Sequence, residues 1–432
     1  MGRVIPLDPA RTLPLMTDHE QLDPAAISPL TAEHEAESNR TPVEKAELGE
    51  AARPGADTGE ATGRLELEYL PWGEPAEGQS GPPCAVLATC GWIELEYAVM
   101  RRGCGLLDQP HRATVAITGT ERVDLLDRMV TQDLGTLSPG RACHAFLTGR
   151  TGRIIAELIL LAREDDVLID VDVHQAGAVV EILEHHVFTE DVQIEDATSR
   201  WYRIGLHGPE TSAVLAGLGG LPESSLEVIT ATIAETPVSI LRRDVAATTG
   251  CDLFVPRDRV VEVWKAIRQQ AQIVGARART VGWYAFNTAR LEGGTPLFNI
   301  DYGPTNLPHE TGLIDQCVSF TKGCYPGQEV VARMQHLGKP KQQLRGLRLQ
   351  ADLLPVAGAQ VFEVDEDALS EPVGVVTSSG ISPLLGAVPL AFGMLRSKVT
   401  ADGTRVRVHA EGEVGEAIVG GLDMLETPGG TP

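Results

Sequence analysis

From about residue 92 onward the chain switches repeatedly between two hydrophobic periods. Ala113-Thr114-Val115-Ala116-Ile117 alternates at period two and predicts a strand, which Thr118-Gly119-Thr120 breaks. Residues 121–130 then carry apolar side chains at 123, 125, 126, 129 and 130, a helical stripe. A helix is expected over 94–102, leading into Gly103-Cys104-Gly105-Leu106-Leu107-Asp108, and strands over 144–147, 154–161 and 167–171. A further helix follows over 174–188, then a strand over 203–206 and a helix opened by Pro209 that stops at Gly219-Gly220. Residues 257–270 are amphipathic, with Val260, Val261, Val263, Trp264 and Ile267 expected inward. Beyond 342 the pattern is one of short strands (344–349, 360–363, 373–377, 405–408) punctuated by Gly and Pro, which predicts a small barrel or sandwich. The sum is an α+β chain, mostly antiparallel, with a β-rich C-terminal module and no solenoid repeat.

The leading segment reads differently. Residues 1–90 hold 16 acidic against 6 basic residues and 11 of the 28 prolines, and stretches such as 32–38 lack core periodicity. Low hydrophobicity with high charge does not offset chain entropy. Residues 1–62 are therefore expected to form a flexible tail, dispensable for folding, and 65–70 an edge strand. With 36 basic and 60 acidic residues the chain carries a net charge of −24, which argues against a duplex nucleic-acid binder. Neither a membrane-spanning apolar run nor the pattern of a secretory signal is read, so the cytoplasm is the expected compartment. Seven cysteines without a CxxC pair argue against a disulfide framework and against zinc, and no metal ligands are assigned.

Several local motifs have bland readings. Gly217-Leu218-Gly219-Gly220 follows a helix and is read as its cap, His185-His186 as a helix C-terminus, and Asp165-Asp166 as a hairpin turn. The segment Phe320-Thr321-Lys322-Gly323-Cys324-Tyr325-Pro326-Gly327-Gln328-Glu329 asks for more. Pro326 is expected as the first residue of a helix ending at Gly338, which would set Cys324 directly before a helix N-terminus with Lys322 nearby. Both features favour a thiolate. Residues 322–348 also carry Lys322, Arg333, Lys339, Lys341, Arg345 and Arg348 against Glu329 alone, a local charge that suggests an anionic ligand or partner.

Lys322-Gly323-Cys324-Tyr325 followed by Gly327-Gln328-Glu329 resembles the signature of the YgfZ-type folate-binding proteins, relatives of the glycine-cleavage aminomethyltransferase, or T-protein. The resemblance covers about residues 92–425. It extends to 105–108, 130–133, 206–209, 252–256, Arg290-Leu291-Glu292 with its flanks, 308–310 and 373–379. It implies a three-domain aminomethyltransferase-like cloverleaf. Two interleaved antiparallel α+β domains would occupy 92–340 and a C-terminal β-barrel 341–425, with a partly ordered lead-in over 63–91 and a tail over 426–432. Tetrahydrofolate or a one-carbon derivative, bound non-covalently, is the implied cofactor. Asp252 matches the pterin-binding glutamate of the T-protein and Arg290 the family's R-L-E arginine. Tyr325, Gln328, Glu329 and Arg333 are further candidates for holding the folate.

The resemblance implies an accessory role in assembling or repairing iron–sulfur clusters. Cys324 would be the reactive thiol, Lys322 its neighbour, and the iron–sulfur client or assembly proteins transient partners of a monomer. One cysteine is too few for a stable cluster scaffold. Two alternatives stand beside this. In the T-protein an Asp-Asp pair follows the Gly-rich turn, and here the doublet reads Ala156-Glu157. A folate-dependent aminomethyl transferase would use Glu157 in its place, and a regulatory module would bind folate without catalysis. The doublet leaves open whether the chain is an enzyme.

Overall fold

The computed structural model describes residues 28–39, 66–73, 84–350, 352–364 and 371–425. The chain begins with helix α1 (Thr31–Ser38) and the strand pair β1 (Glu68–Pro71) and β2 (Ala85–Thr89), followed by α2 (Ile93–Arg102) and β3 (Cys104–Asp108). It then runs through β4 (Arg112–Thr118), α3 (Arg122–Met129), β5 (Ala142–Thr148), β6 (Ile154–Ala162), β7 (Asp166–Asp172), α4 (Ala176–His185) and β8 (Gln193–Asp196). Next come β9 (Trp201–His207), α5 (Thr211–Ala216), β10 (Val228–Ile233), β11 (Thr236–Arg242), β12 (Gly250–Pro256), α6 (Val260–Ile273), β13 (Ala278–Val281) and α7 (Trp283–Glu292). Helices α8 (Ile314–Cys317) and α9 (Gln328–Leu337) lead to β14 (Gln342–Leu349), β15 (Gln360–Glu363), β16 (Gly374–Ser382), β17 (Val388–Arg396), β18 (Arg405–Ala410) and β19 (Glu413–Gly420).

The interleaving implied by the resemblance is present. Strand β3 lies in a six-stranded sheet of order β10-β11-β12-β9-β3-β13, antiparallel except for the β3–β13 pair. The chain leaves it, builds the antiparallel sheet β5-β6-β7-β4-β8, and returns through β9. The C-terminal strands close a six-stranded barrel, β14-β17-β16-β15-β18-β19. Each sheet buries the face that its alternation marks. Ala113, Val115 and Ile117 of β4 join Leu125, Leu126 and Met129 of α3 in one core. Val260, Val263, Trp264 and Ile267 of α6 cover the six-stranded sheet, with Val261 half-buried at the margin. Ile159, Leu161, Leu168, Leu241 and Phe254 form a separate cluster that joins the two sheets. No helix among the described residues is long and apolar enough to cross a membrane.

One expectation is corrected here. Residues 28–39, read as part of a flexible tail, form α1 and its N-terminal turn, and they dock on the six-stranded sheet; the remainder of 1–62 lies outside the described residues. Leu30 is fully buried in the core beside Trp264. Glu37 meets Arg268 of α6 at 2.5 Å and Arg279 of β13 at 3.5 Å, and Ser28 and Tyr202 hydroxyls are 3.0 Å apart. Leu30→Ala is expected to cost about 2–4 kcal/mol, the penalty for emptying a packed leucine site. Urea unfolding measures it, and an unchanged midpoint would detach α1 from the folded unit.

Candidate functional site

A cleft of about 530 Å³, its open mouth included, lies where the two sheets, α7 and the segment after β1 converge. Gln109 and His111 come from the turn between β3 and β4, Arg112 from the start of β4, Glu157 from β6, His207 from the end of β9, Arg243 and Val245 from beyond β11, and Asp252 from β12. Trp72, Leu107, Phe286, Leu297 and Phe298 supply apolar walls. Asp252 is buried; its Oδ1 accepts a hydrogen bond from Gln109 Nε2 at 2.6 Å, and its Oδ2 stands 3.5 Å from Arg243 Nη1. Acceptor capacity therefore remains on Oδ2 at the cleft wall.

Glu157 sits on a strand that is otherwise apolar and contacts His144 Nε2 of the neighbouring strand at 2.7 Å. Burial alone would raise its pKa, but the His144 hydrogen bond and the positive field of His144, Arg243 and Arg112 outweigh that and hold the carboxyl at about 2. Behind it, Asp170 pairs with Arg112 at 2.9 Å and Arg203 at 3.0 Å, which keep its carboxyl well below the usual range despite burial. Burial, with Arg112 nearby, pushes His111 well down, and burial brings His207 to about 4, so both imidazoles are neutral at pH 7. His111 Nδ1 and His207 Nδ1 are buried without a hydrogen-bond partner. The cleft thus offers an aromatic wall, a buried carboxylate acceptor, an ionised glutamate and an arginine.

Of the candidate site residues, only Asp252 and Glu157 line this cleft. Arg290 is corrected from a ligand-binding residue to a structural one. Its side chain is fully buried, 2.6 Å from Asp301, and bonded to Asn287 and the Thr295 carbonyl. Lys322 does not attend the thiol. Its ammonium donates to the carbonyls of Asp127, Val130 and Gln132 and to Asp127 Oδ1, tying the loop to the C-terminal end of α3. Two other members of the basic stretch are engaged elsewhere, Arg345 paired to Asp402 and Arg348 bonded to the Met424 carbonyl.

Pro326 is likewise not the helix start. Gly327 caps α9 in the left-handed region at φ 84°, and a Cβ there would lie 2.3 Å from the Gly149 carbonyl oxygen. Close docking on the β5–β6 turn therefore requires glycine. Cys324 lies in the loop before that cap, exposed, while the other six cysteines are buried or half-buried. Tyr325 is buried, which raises its hydroxyl to about 12, and Gln328 Nε2 donates to the Gly323 carbonyl at 3.2 Å to brace the loop. Glu329 and Arg333 are exposed on α9, so none of these four reaches the cleft. The sequence reading missed Trp72, Gln109, His111, Arg112, His144, Arg243 and Phe286. These come from separate segments, and the usable signal was the charged residue set in an apolar strand, at Glu157 and Asp252.

Residues 87–322 match the family described as the GCVT N-terminal domain, and residues 342–421 match the glycine cleavage T-protein C-terminal barrel domain. An aminomethyltransferase of Streptomyces coelicolor is 27% identical over 316 residues, spanning 72% of this chain and 82% of that protein. A probable aminomethyltransferase of Halobacterium salinarum is 27% identical over 339 residues, spanning 76% and 89%. The crystal structure of the glycine cleavage system aminomethyltransferase T from Bartonella henselae superposes with a TM-score of 0.71 at 23% identity, covering 80% of this chain and 94% of that one, and so shares its fold. With both matched regions in the order of its interleaved domains and its barrel, the chain belongs to the glycine-cleavage T-protein (GcvT) family.

Proposed function

We propose that the central cleft binds tetrahydrofolate or a one-carbon derivative of it and that the protein acts as a folate-dependent one-carbon transferase. The observation that carries this reading is the buried Asp252 carboxylate facing a cleft with aromatic walls. A pterin presents adjacent N–H donors along one edge and a flat apolar face, and a carboxylate beside aromatic side chains complements both. Arg243, 3.5 Å from Asp252 with its side chain 20% exposed, pairs with that carboxylate at the cleft wall. When bound, the folate supplies the nitrogen that accepts the one-carbon unit. Glu157, kept ionised by His144, supplies a fixed negative charge toward positive charge developing on a reacting nitrogen. The names of the relatives, aminomethyltransferases, support transfer of an aminomethyl-derived carbon.

A second reading, closer to the YgfZ-type proteins, is favoured by Cys324. The rest of its signature has packing work: Lys322 ties down α3, Tyr325 is buried, Gly327 permits docking and Gln328 braces the loop. The exposed thiol does not, and this supports an accessory role toward iron–sulfur proteins in which Cys324 is the working group. Two variants separate the readings. Under transfer chemistry, Glu157→Gln abolishes most tetrahydrofolate-dependent formation of methylene-tetrahydrofolate from an aminomethyl donor, and Cys324→Ser is silent. Under the accessory role, wild-type protein forms none, and Cys324→Ser folds and binds folate but fails to restore iron–sulfur enzyme activity in cells lacking the protein.

A further inference from the structure

The family match begins at residue 87, yet one wall of the cleft comes from before it. Trp72 follows β1, which pairs antiparallel with β2, and its backbone N–H donates to the Cys84 carbonyl at 2.8 Å. Its indole N–H donates to Asp172 Oδ2 at 2.9 Å, and His174 Nε2 lies 2.6 Å from its carbonyl oxygen. The ring lies 4.1 Å from His111, centroid to centroid, and meets the Trp283 edge at 5.2 Å. Trp283 in turn lies 5.9 Å from Phe286, and Phe286 lies 5.8 Å from His207, so an aromatic band runs along the side of the cleft. Gly73, at φ 60°, turns the chain immediately after the tryptophan.

We infer that Trp72, carried by the segment ahead of the family module, is a ligand-binding residue, its fixed indole forming an aromatic wall against which the heteroaromatic ring of a reduced folate packs. This rests on the folate reading of the cleft and adds to it a contact that the matched family regions do not contain. The indole is anchored at its N–H, its backbone N–H and its carbonyl, so it is held in place before ligand arrives and little ordering cost falls on binding.

The test compares Trp72→Phe with Trp72→Leu in the full chain, titrated calorimetrically with 5-formyltetrahydrofolate. Both variants lose the bond to Asp172 and both remain apolar; they differ in the aromatic face. Trp72→Phe is expected within about threefold of wild-type affinity, whereas Trp72→Leu should be weaker by about tenfold, the size of a lost aromatic contact. Melting temperatures should fall alike in the two. Wild-type affinity in Trp72→Leu overturns the inference, and equal losses in both variants overturn it too, by assigning the effect to packing. Quenching of tryptophan emission by the same ligand gives an independent readout: most of it should vanish in Trp72→Phe, and undiminished quenching counts against the contact. Failure of the wild-type chain to bind overturns the folate reading itself, and this inference with it.

Discussion

Arg290→Ala should destabilise the protein by about 3–5 kcal/mol, the cost of leaving one member of a buried ion pair without its partner. Arg290 and Asp301 are both fully buried, and Asp301 Oδ1 also accepts hydrogen bonds from Thr377 Oγ1 at 3.0 Å and Ser378 Oγ at 2.5 Å on β16. Removing the guanidinium therefore strands a carboxylate that ties α7 to the barrel. Two residues on, Glu292 accepts from Tyr97 Oη at 2.7 Å and also bonds Arg101 and Ser382, so the R-L-E motif is a fastening between the first domain and the barrel. Chemical denaturation measures the loss. Folded Arg290→Ala protein should bind reduced folate about as well as wild type. A stable variant with ruined affinity would instead return Arg290 to the site.

That motif shows why some of the molecule was readable in its sequence and some was not. The β4–α3 unit and α6 were legible because each has one buried face, which leaves a clean period of two or 3.6. Helix α7 and strand β17 escaped because they are buried on nearly all sides, and no polar face remains to mark the period. Helix α1 escaped for the opposite reason. Its Thr-Ala-Glu-His-Glu-Ala-Glu-Ser sequence is polar, and Glu37 gains a buried place against the arginines of α6 and β13. In the site, Asp252 and Glu157 were named through the family resemblance, and each proves to be a lone charge within an apolar strand. An arginine in a motif, by contrast, reads the same whether it faces a ligand or an aspartate 11 residues further along, as Arg290 does. The setting of Cys324 failed on the same point, since the ammonium of Lys322 was committed to α3 by contacts that spacing does not reveal.

Asp252→Ala carries the largest expected effect on ligand binding. The strand β12 presents this carboxylate between Cys251 and Leu253, both buried in the core, so the alanine variant loses no packed apolar surface and the register with β9 is kept by the backbone. What it loses is the acceptor for a donor pair on the ligand. Charge-assisted hydrogen bonds of that kind contribute about 1.5–3 kcal/mol, so affinity should fall by roughly tenfold to a hundredfold or more. Asp252→Asn, which keeps one carbonyl acceptor and the contact with Gln109, should fall between. Gln109→Ala, by freeing Asp252 Oδ1 of its 2.6 Å partner, should change affinity far less than loss of the carboxylate itself.

Transfer chemistry in this cleft requires that it take a reduced folate through Asp252. Isothermal titration of the full chain with 5-formyltetrahydrofolate, wild type and Asp252→Ala side by side at matched folded concentration, tests it. The expected result is one site per chain in the wild type and a dissociation constant at least about tenfold weaker in the variant. Binding of equal strength in the two proteins, or no binding in the wild type, would contradict it.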